Sequence, residues 1–182
     1  MRVAFGLDGV FADVEGAVAT LSTEVLDAPT HRLTPSQHRI LSRVVCASEN
    51  FWEHLEEIEP GAIARLASVV RARQWEVIFL VRRFSTAGTT TQRQSQNWLT
   101  AKGFEQPCVY VVDSSLAELV PALTLDVVVD SPIEHRIEAP TQERAVTSIG
   151  SIDECLRRLC EFEDERHPWY RRLAQSAAFF LP

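Results

Sequence analysis

The chain has 182 residues, a formal net charge of -7 at pH 7 and 46% hydrophobic residues, which is typical of one folded globular domain. This acidic balance argues against nucleic acid and anionic membrane surfaces as partners, because both are bound through basic patches. No apolar run reaches the length of a membrane span, and the chain enters a strand without a basic, apolar leader, so we expect a cytoplasmic protein.

The first predicted element is a short buried strand that ends in a turn. An apolar run over residues 3–7 has the length and residue types of such a strand. It stops at the turn dipeptide Asp8-Gly9, and a helical pattern begins near Asp13. This order places Asp8 at the carboxyl end of a strand, which is where open α/β sheets bind their ligands.

A helical insertion follows the first strand. Apolar residues recur at helical spacing over residues 14–26, and Thr34-Pro35-Ser36-Gln37 is a capping box that opens a second helix. Phe51 and Trp52 indicate a short third helix before a proline–glycine break. We therefore expect residues from about 14 to 59 to form an all-helical insertion.

Strands and helices alternate from residue 60 onward. Apolar runs predict strands at 75–81, 108–112 and 126–130, with a weaker pattern at 144–147. Amphipathic or capped stretches predict helices at 62–73, 89–102, from about 115 to 121, from 151, and after Pro168. This alternation predicts a single three-layer α/β domain over residues 1–182, with a parallel, Rossmann-like sheet.

The stretch from Asp8 to Asp13 resembles the first motif of the haloacid-dehalogenase-like (HAD-like) phosphatases, closest to their deoxyribonucleotidase-like branch. That motif reads Asp-x-Asp-Gly-(Thr/Val), and its first Asp is the nucleophile. Three later segments fit the family pattern in order: Trp75-Glu-Val-Ile-Phe-Leu-Val-Arg-Arg83, Asn97-Trp-Leu99 with Gly103-Phe104, and Leu125-Asp-Val-Val-Val-Asp130. The resemblance implies a HAD-like domain and makes the insertion at about 14–59 a small helical cap.

The family's chemistry is missing at most of the matching positions. The nucleophile position is Gly6, whereas the proton-donor position is kept as Asp8. Val81 replaces the phosphate-binding hydroxyl after the second strand. The phosphate-binding lysine falls on or near Glu118, and the acidic pair after the fourth strand is Asp130-Ser131. Loss of a nucleophile alone typically costs about a million-fold in turnover.

We therefore expect a pseudophosphatase, a catalytically degenerate HAD-like protein with a binding, regulatory or scaffolding role. The alternative is a residual Mg²⁺-dependent phosphatase or 5'-nucleotidase-like hydrolase that acts on a small phosphorylated metabolite through Asp8 and Asp130. A shifted register, with Asp8 as nucleophile, would make Val10 the proton donor, and a valine cannot serve.

Two arrangements of the charged groups are consistent with the sequence. Asp8, Glu118 and Asp130 could cluster, which would require a cation among them. Alternatively, Glu118 faces solvent, and Arg82 or Arg83 pairs with Asp8 or Asp130. Arg83 also matches an arginine that is common in the resembled branch.

Arg82, Arg83, Phe51 and Trp52 are the candidate ligand-binding residues. The aromatic pair either forms an apolar roof over a ligand or belongs to the core of the cap.

We expect no cofactor, and Mg²⁺ only if activity remains, with Asp130 as its ligand. The partner, a small molecule or a protein, is left open. The run Ala177–Leu181 is too apolar to be left in water, so we expect it to dock on its own domain or on another chain, with a homodimer as one outcome.

Overall fold

Five parallel strands form the centre of the domain in the order β3-β2-β1-β4-β5. The structure is a computed structural model that describes residues 1–112, 121–130, 145–147 and 151–166, with only the backbone for 145–147 and for Arg166. The strands are β1 (Arg2–Gly6), β2 (Glu76–Val81), β3 (Cys108–Val111), β4 (Val127–Asp130) and β5 (Ala145–Thr147). The prediction of an α/β domain with a parallel, Rossmann-like sheet is confirmed.

Five α-helices are described in these residues: α1 (Val14–Leu26), α2 (Pro35–Ala47), α3 (Ala62–Arg73), α4 (Thr91–Ala101) and α5 (Ile152–Arg166). The helices predicted from about residue 115 and after Pro168 lie largely or wholly outside the described residues. Within the described part, no helix is both long and apolar enough to cross a membrane.

The third helix expected near Phe51 is a single 3₁₀ turn, Phe51–Glu53. Asn50 precedes it in the left-handed conformation, with φ 51°. The backbone N–H of Trp52, in the first turn and so without an acceptor inside the helix, donates to Oε1 of Gln94 at 3.1 Å. The short helix that the sequence predicts here is therefore present, as a 3₁₀ helix of three residues.

Side chains cap the starts of α1 and α2, and the cap of α2 is the capping box that the sequence predicts. Asp13 Oδ1 accepts a hydrogen bond from the backbone N–H of Gly16 at 2.8 Å. Thr34 and Gln37 form the reciprocal capping box, in which each side chain accepts from the other residue's backbone N–H. Such caps satisfy backbone donors that have no partner inside a helix.

The two ends of the helical insertion meet at its base. The backbone N–H of Asp13 donates to the carbonyl of Glu56 at 2.9 Å, and that of Ile58 donates to the carbonyl of Phe11 at 2.8 Å. The chain therefore leaves the sheet after the Asp8 turn and returns beside the same turn.

Most of the core lies on one face of the sheet. Strand residues alternate between the two faces, so Phe5 and Phe79 point to one face and Ala4 and Leu80 to the other. The first face packs against α3, α4 and α5 through residues that include Leu66, Trp98 and Leu159, and we call it the main face. The second face carries a smaller buried cluster: Ala4, Leu80, Val112, Leu125 and Val128.

The strand order reverses between β1 and β4. The chain proceeds from β1 outward to β2 and β3, then crosses back to place β4 on the other side of β1. The carboxyl ends of β1 and β4 therefore flank a topological switch point, where α/β sheets leave a crevice for ligands.

Helix α5 is fixed to the amino edge of the sheet by a buried carboxylate. Glu163 is 5% exposed, and its Oε2 accepts a hydrogen bond from Trp75 Nε1 at 2.9 Å. Arg73 lies 3.5 Å from the same oxygen and 2.8 Å from Asp164, and the hydrogen bond to Asp164 raises the pKa of Arg73. Trp75 immediately precedes β2, so these contacts hold the end of α5 beside the start of that strand.

We expect Glu163→Gln to destabilise the fold by about 1–3 kcal/mol, because the change leaves the Trp75 donor and Arg73 without a buried charged acceptor. Glu161→Gln on the same helix is the matched control, since that side chain is 54% exposed. Its effect should stay within about 0.5 kcal/mol. Urea unfolding measures both, and equal effects would contradict the anchoring role of Glu163.

Candidate functional site

The candidate site lies at the carboxyl edge of the sheet, beside the switch point. β1 ends at Gly6, and the backbone N–H groups of Phe11 and Ala12 both donate to the carbonyl of Leu7 at 3.0 Å, which forms the turn that carries Asp8. Gly9 in this turn has φ 73°, a left-handed conformation that favours glycine. The sequence therefore builds a strand, a turn and a helix in the predicted order.

Asp8 is bound by the guanidinium of Arg83. Arg83 Nε donates to both carboxylate oxygens of Asp8, at 2.9 and 3.1 Å, and Nη2 donates to Oδ1 as well. The side chain of Arg83 is 1% exposed and that of Asp8 is 17% exposed. This is a charge-assisted, largely desolvated ion pair between the ends of β1 and β2. The pairing of Arg83 with Asp8, one of the arrangements that the sequence left open, is present in the structure.

Two further groups complete the surroundings of Arg83. Its Nη1 donates to Ser95 Oγ at 3.0 Å, and Ser95 in turn donates to the carbonyl of Thr91 at 2.9 Å. The guanidinium carbon lies 4.9 Å from the ring centroid of Trp52, in cation–π geometry. A buried arginine needs partners of this kind, because taking the charge out of water costs several kcal/mol.

Ser95 was not identified from the sequence as part of the site. The available signal was helical spacing: Thr91, Ser95 and Trp98 fall on one stripe of α4, and all three are buried. A polar residue in such a stripe needs a hydrogen-bonding partner. Its partner, Arg83, could not be identified without the three-dimensional fold.

Trp52 is held over Arg83 by its own hydrogen bonds and ring contacts. Its Nε1 donates to the carbonyl of Phe84 at 3.1 Å, and its ring meets those of Phe51 and Phe84 edge to face. Trp52 is 3% exposed and Phe51 is 9% exposed. The aromatic pair, which is part of the insertion, is therefore buried in the main core cluster. A role for Phe51, Trp52, Arg82 and Arg83 in binding a ligand stays a prediction.

A set of backbone contacts, which we call the latch, joins residues 46–50 to the loop after β2. Ala87 N–H donates to the carbonyl of Cys46, and Asn50 N–H donates to the carbonyl of Ala87, both at 2.8 Å. Thr89 N–H donates to Asn50 Oδ1 at 2.9 Å. Gly88 has φ 94°, and a Cβ atom there would come within 3.1 Å of the Asn50 backbone nitrogen. The latch fixes the segment that carries Trp52.

Gly6 and Asp130 are neighbours across the sheet. Phe5 is paired with Val129, so the next residues, Gly6 and Asp130, share a row at the carboxyl edge. A Cβ atom built on Gly6 would collide with Asp130 Oδ1 and would lie 3.2 Å from its Cγ. The carboxylate of Asp130 thus occupies the space that any side chain at position 6 would need.

The other motif positions are distributed as follows. Val81 is 1% exposed at the end of β2 and belongs to the main core cluster. Glu118 and Ser131 lie outside the described residues. In the part of the chain that the structure describes, no three His, Cys, Asp or Glu side chains are grouped to hold a metal ion.

A cavity of about 380 Å³ lies beside α1, lined by Asp13, Gly16, Ala17, Thr20, His54 and Glu56. Of these lining residues, Asp13 alone belongs to the stretch that resembles the first family motif. The Asp13 carboxylate there already caps the first turn of α1.

Comparison with known proteins gives the chain no family. No protein-family model and no curated protein matches it.

We expect Asp8→Asn to lower the free energy of unfolding by about 3 kcal/mol, because it leaves the charge of the buried Arg83 uncompensated. This value is at the lower end of the usual loss when one partner of a buried ion pair is removed. Arg83→Met should lower the free energy of unfolding by less, because the unpaired group that remains is the Asp8 carboxylate, which is the more exposed of the two partners. In the double variant the two losses should not add, because both changes remove one interaction.

Urea unfolding of the four proteins gives this double-mutant cycle. Asp13→Asn serves as a comparison within the same turn, because it changes a carboxylate that is bonded to backbone and not to Arg83. Additive losses for Asp8 and Arg83 would show that the pair is not coupled.

Proposed function

We propose that this chain is a HAD-like pseudophosphatase, in which a structural ion pair has replaced phosphoryl-transfer chemistry, and that its role is to bind a ligand or partner. The observation that carries the proposal is the engagement of Asp8 by the buried guanidinium of Arg83. Support also comes from the strand order, the turn after β1 and the helical insertion that follows it, which have the arrangement expected of the resembled family.

The first requirement of the reaction is an attacking carboxylate. Gly6 has no side chain, and the space above it is taken by the carboxylate of Asp130. The loss of a nucleophile from a catalytic unit costs about a million-fold in turnover.

The second requirement is a carboxyl group that exchanges a proton with the leaving group. Both oxygens of Asp8 accept hydrogen bonds from Arg83. A proton on either oxygen would compete with those bonds and would leave the buried cation without its counter-ion. Asp8 is thus better suited to hold Arg83 than to act as an acid or base.

The third requirement is a set of donors for the phosphate oxygens. Val81 has no hydroxyl, which removes a hydrogen bond worth about 1 kcal/mol. Arg83 directs its Nε, Nη1 and Nη2 toward Asp8 and Ser95. A phosphate that recruited Arg83 would therefore have to displace Asp8 first.

The residues described at this edge do not fit the Mg²⁺ that the resembled family uses. Mg²⁺ prefers oxygen ligands in near-octahedral geometry and usually binds through carboxylates together with a substrate phosphate. Here Gly6 supplies no side-chain ligand, and Asp8 is already paired with a cation. We therefore derive no catalytic step through a metal.

We expect no turnover of p-nitrophenyl phosphate above background in the presence of Mg²⁺. The Gly6→Asp variant should hydrolyse this substrate less than about tenfold faster than the parent chain does, because Val81 and the pairing of Arg83 with Asp8 still oppose phosphate binding. The same variant should be less stable than the parent, since its Cβ must displace the Asp130 carboxylate.

Initial-rate assays with both proteins, each checked by thermal unfolding, test this expectation. Turnover by the parent chain that disappears in an Asp8→Asn protein, assayed below its unfolding temperature, would overturn the pseudophosphatase proposal. The residual hydrolase would then be the better description.

Titration calorimetry addresses the metal separately. We expect no saturable binding of Mg²⁺ or Mn²⁺ below about 1 mM, because the residues described at this edge supply too few oxygen ligands. Saturable binding that is lost in Asp130→Asn but kept in Asp13→Asn would show a working metal site at the switch point.

A further inference from the structure

The cavity beside α1 lies between the first two turns of this helix and the segment that follows the 3₁₀ turn at Trp52. Its volume of about 380 Å³ is large enough for a small molecule. The backbone N–H of Asp13 donates to the carbonyl of Glu56 at 2.9 Å, which joins the two sides of the cavity at one end. All of the lining residues belong to the described part of the chain: Asp13, Gly16, Ala17, Thr20, His54 and Glu56.

Gly16 leaves room for a carboxylate in the lining. A glycine in a helix lowers its stability by up to about 1 kcal/mol relative to alanine, so its presence near the start of α1 needs a physical reason. A Cβ atom at position 16 would collide with Oδ2 of Asp13 and would come within 2.8 Å of its Cγ. The missing side chain therefore allows the Asp13 carboxylate to lie along the helix, where it lines the cavity.

The polar atoms of the lining have acceptor capacity left for a ligand. Asp13 Oδ1 accepts from the backbone N–H of Gly16 at 2.8 Å, whereas Oδ2 has no hydrogen-bonding partner among the described residues. Thr20 Oγ1 donates to the carbonyl of Gly16 at 2.9 Å, so its lone pairs remain available. Glu56 adds a second carboxylate, which is 87% exposed and lies 3.8 Å from Lys102.

This lining argues against two classes of ligand. An anion would meet the carboxylates of Asp13 and Glu56, and Asp13 already occupies the N–H group that the start of α1 offers to an anion. A metal ion needs its ligands close together. His54 lines the cavity as well, yet no three His, Cys, Asp or Glu side chains of the described residues are grouped to hold a metal ion. The charges are therefore spread over the lining, which suits an organic cation.

We propose that this cavity binds a small aliphatic amine in its ammonium form. An ammonium group carries three N–H donors, and Asp13 Oδ2, Thr20 Oγ1 and the Glu56 carboxylate supply acceptors for them. Gly16 and Ala17 supply apolar surface for the methylene groups. A diamine fits best, because the Asp13 carboxylate turns to the start of α1 and that of Glu56 turns to Lys102, so the two charges are separate.

The amine site is separate from the ion pair of Asp8 and Arg83, because neither of these residues lines the cavity. The inference therefore does not rest on the pseudophosphatase proposal. Phosphatase assays test that proposal and amine binding tests this one, so the two failures are distinguishable.

Titration calorimetry of the full chain with 1,4-diaminobutane, in an amine-free buffer of low ionic strength, tests the site. We expect saturable binding with a Kd of about 1 mM or tighter, which the few non-hydrogen atoms of this ligand can supply. The neutral 1,4-butanediol has the same length and should bind at least about tenfold more weakly, because it lacks the charges. Absence of saturable diamine binding, or equal affinity for the diol, would overturn the proposal.

Charge variants identify the carboxylates that hold the amine. Asp13→Asn removes a charge and keeps the helix cap, because asparagine caps as well as aspartate does. Asp13→Asn and Glu56→Gln should each weaken diamine binding about threefold, as expected for partly exposed charge pairs. Glu15→Gln is the matched control, since Glu15 is an exposed acid in the first turn of α1 that does not line the cavity. An equal loss in Glu15→Gln would overturn the proposal by showing that net charge alone attracts the diamine.

Filling the cavity gives a second, independent test. Thr20 and Thr23 are both exposed on α1, and each hydroxyl donates to the carbonyl four residues earlier, at 2.9 and 3.1 Å. Only Thr20 lines the cavity. Thr20→Trp should weaken diamine binding at least about tenfold because the indole takes up the ligand's space, whereas Thr23→Trp should leave it unchanged. Thermal unfolding checks that both variants are folded. Full diamine binding by folded Thr20→Trp would overturn the proposal.

Discussion

The charge of Arg83 is the constraint on which the carboxyl edge of this protein depends. A guanidinium with a side chain 1% exposed must be compensated, or the fold loses several kcal/mol. Compensation comes from Asp8 after β1, Ser95 on α4 and the ring of Trp52 in the insertion. One buried charge thus determines how the sheet, a helix and the insertion are placed relative to one another.

This constraint gives Asp8 a reason to be present that is independent of catalysis. A carboxylate at a motif position is usually taken as a sign of the motif's chemistry. Here the same carboxylate has a structural task that would be disturbed if it exchanged protons or bound a metal ion. The presence of Asp8 is therefore explained by its pairing with the buried Arg83 alone.

The order and type of most elements could be predicted because local signals coincided. The capping box at Thr34 and the apolar run of β2 each identify an element without reference to the rest of the chain. The hydrogen bond from the backbone N–H of Trp52 to the Gln94 side chain could not be predicted in this way, because the two residues are 42 positions apart in sequence. The local pattern indicates the short helix at Phe51, whereas the contact that fixes it in place is tertiary.

Some residues at this edge could be predicted from the sequence, whereas Ser95 and the geometry of the contacts could not. Gly6, Asp8, Arg83 and Asp130 follow or end strands, so parallel pairing brings them to one edge. Which arginine pairs with which carboxylate depends on strand register and on the burial of Trp52. The proximity of Asp130 to Gly6 likewise follows from the β1–β4 register, which no local pattern specifies.

The hydrogen bond between Asp13 and Glu56 joins the two ends of the insertion. If the insertion were deleted from the chain, the two residues to be reconnected would therefore already be neighbours. Topologically the insertion is a module that a short turn could replace, as in other domain insertions whose ends are close. Energetically it is not separable, because the same excision would take away Trp52 and the latch to Ala87. Any exchange of this module between proteins would have to transfer an aromatic cover for Arg83 along with it.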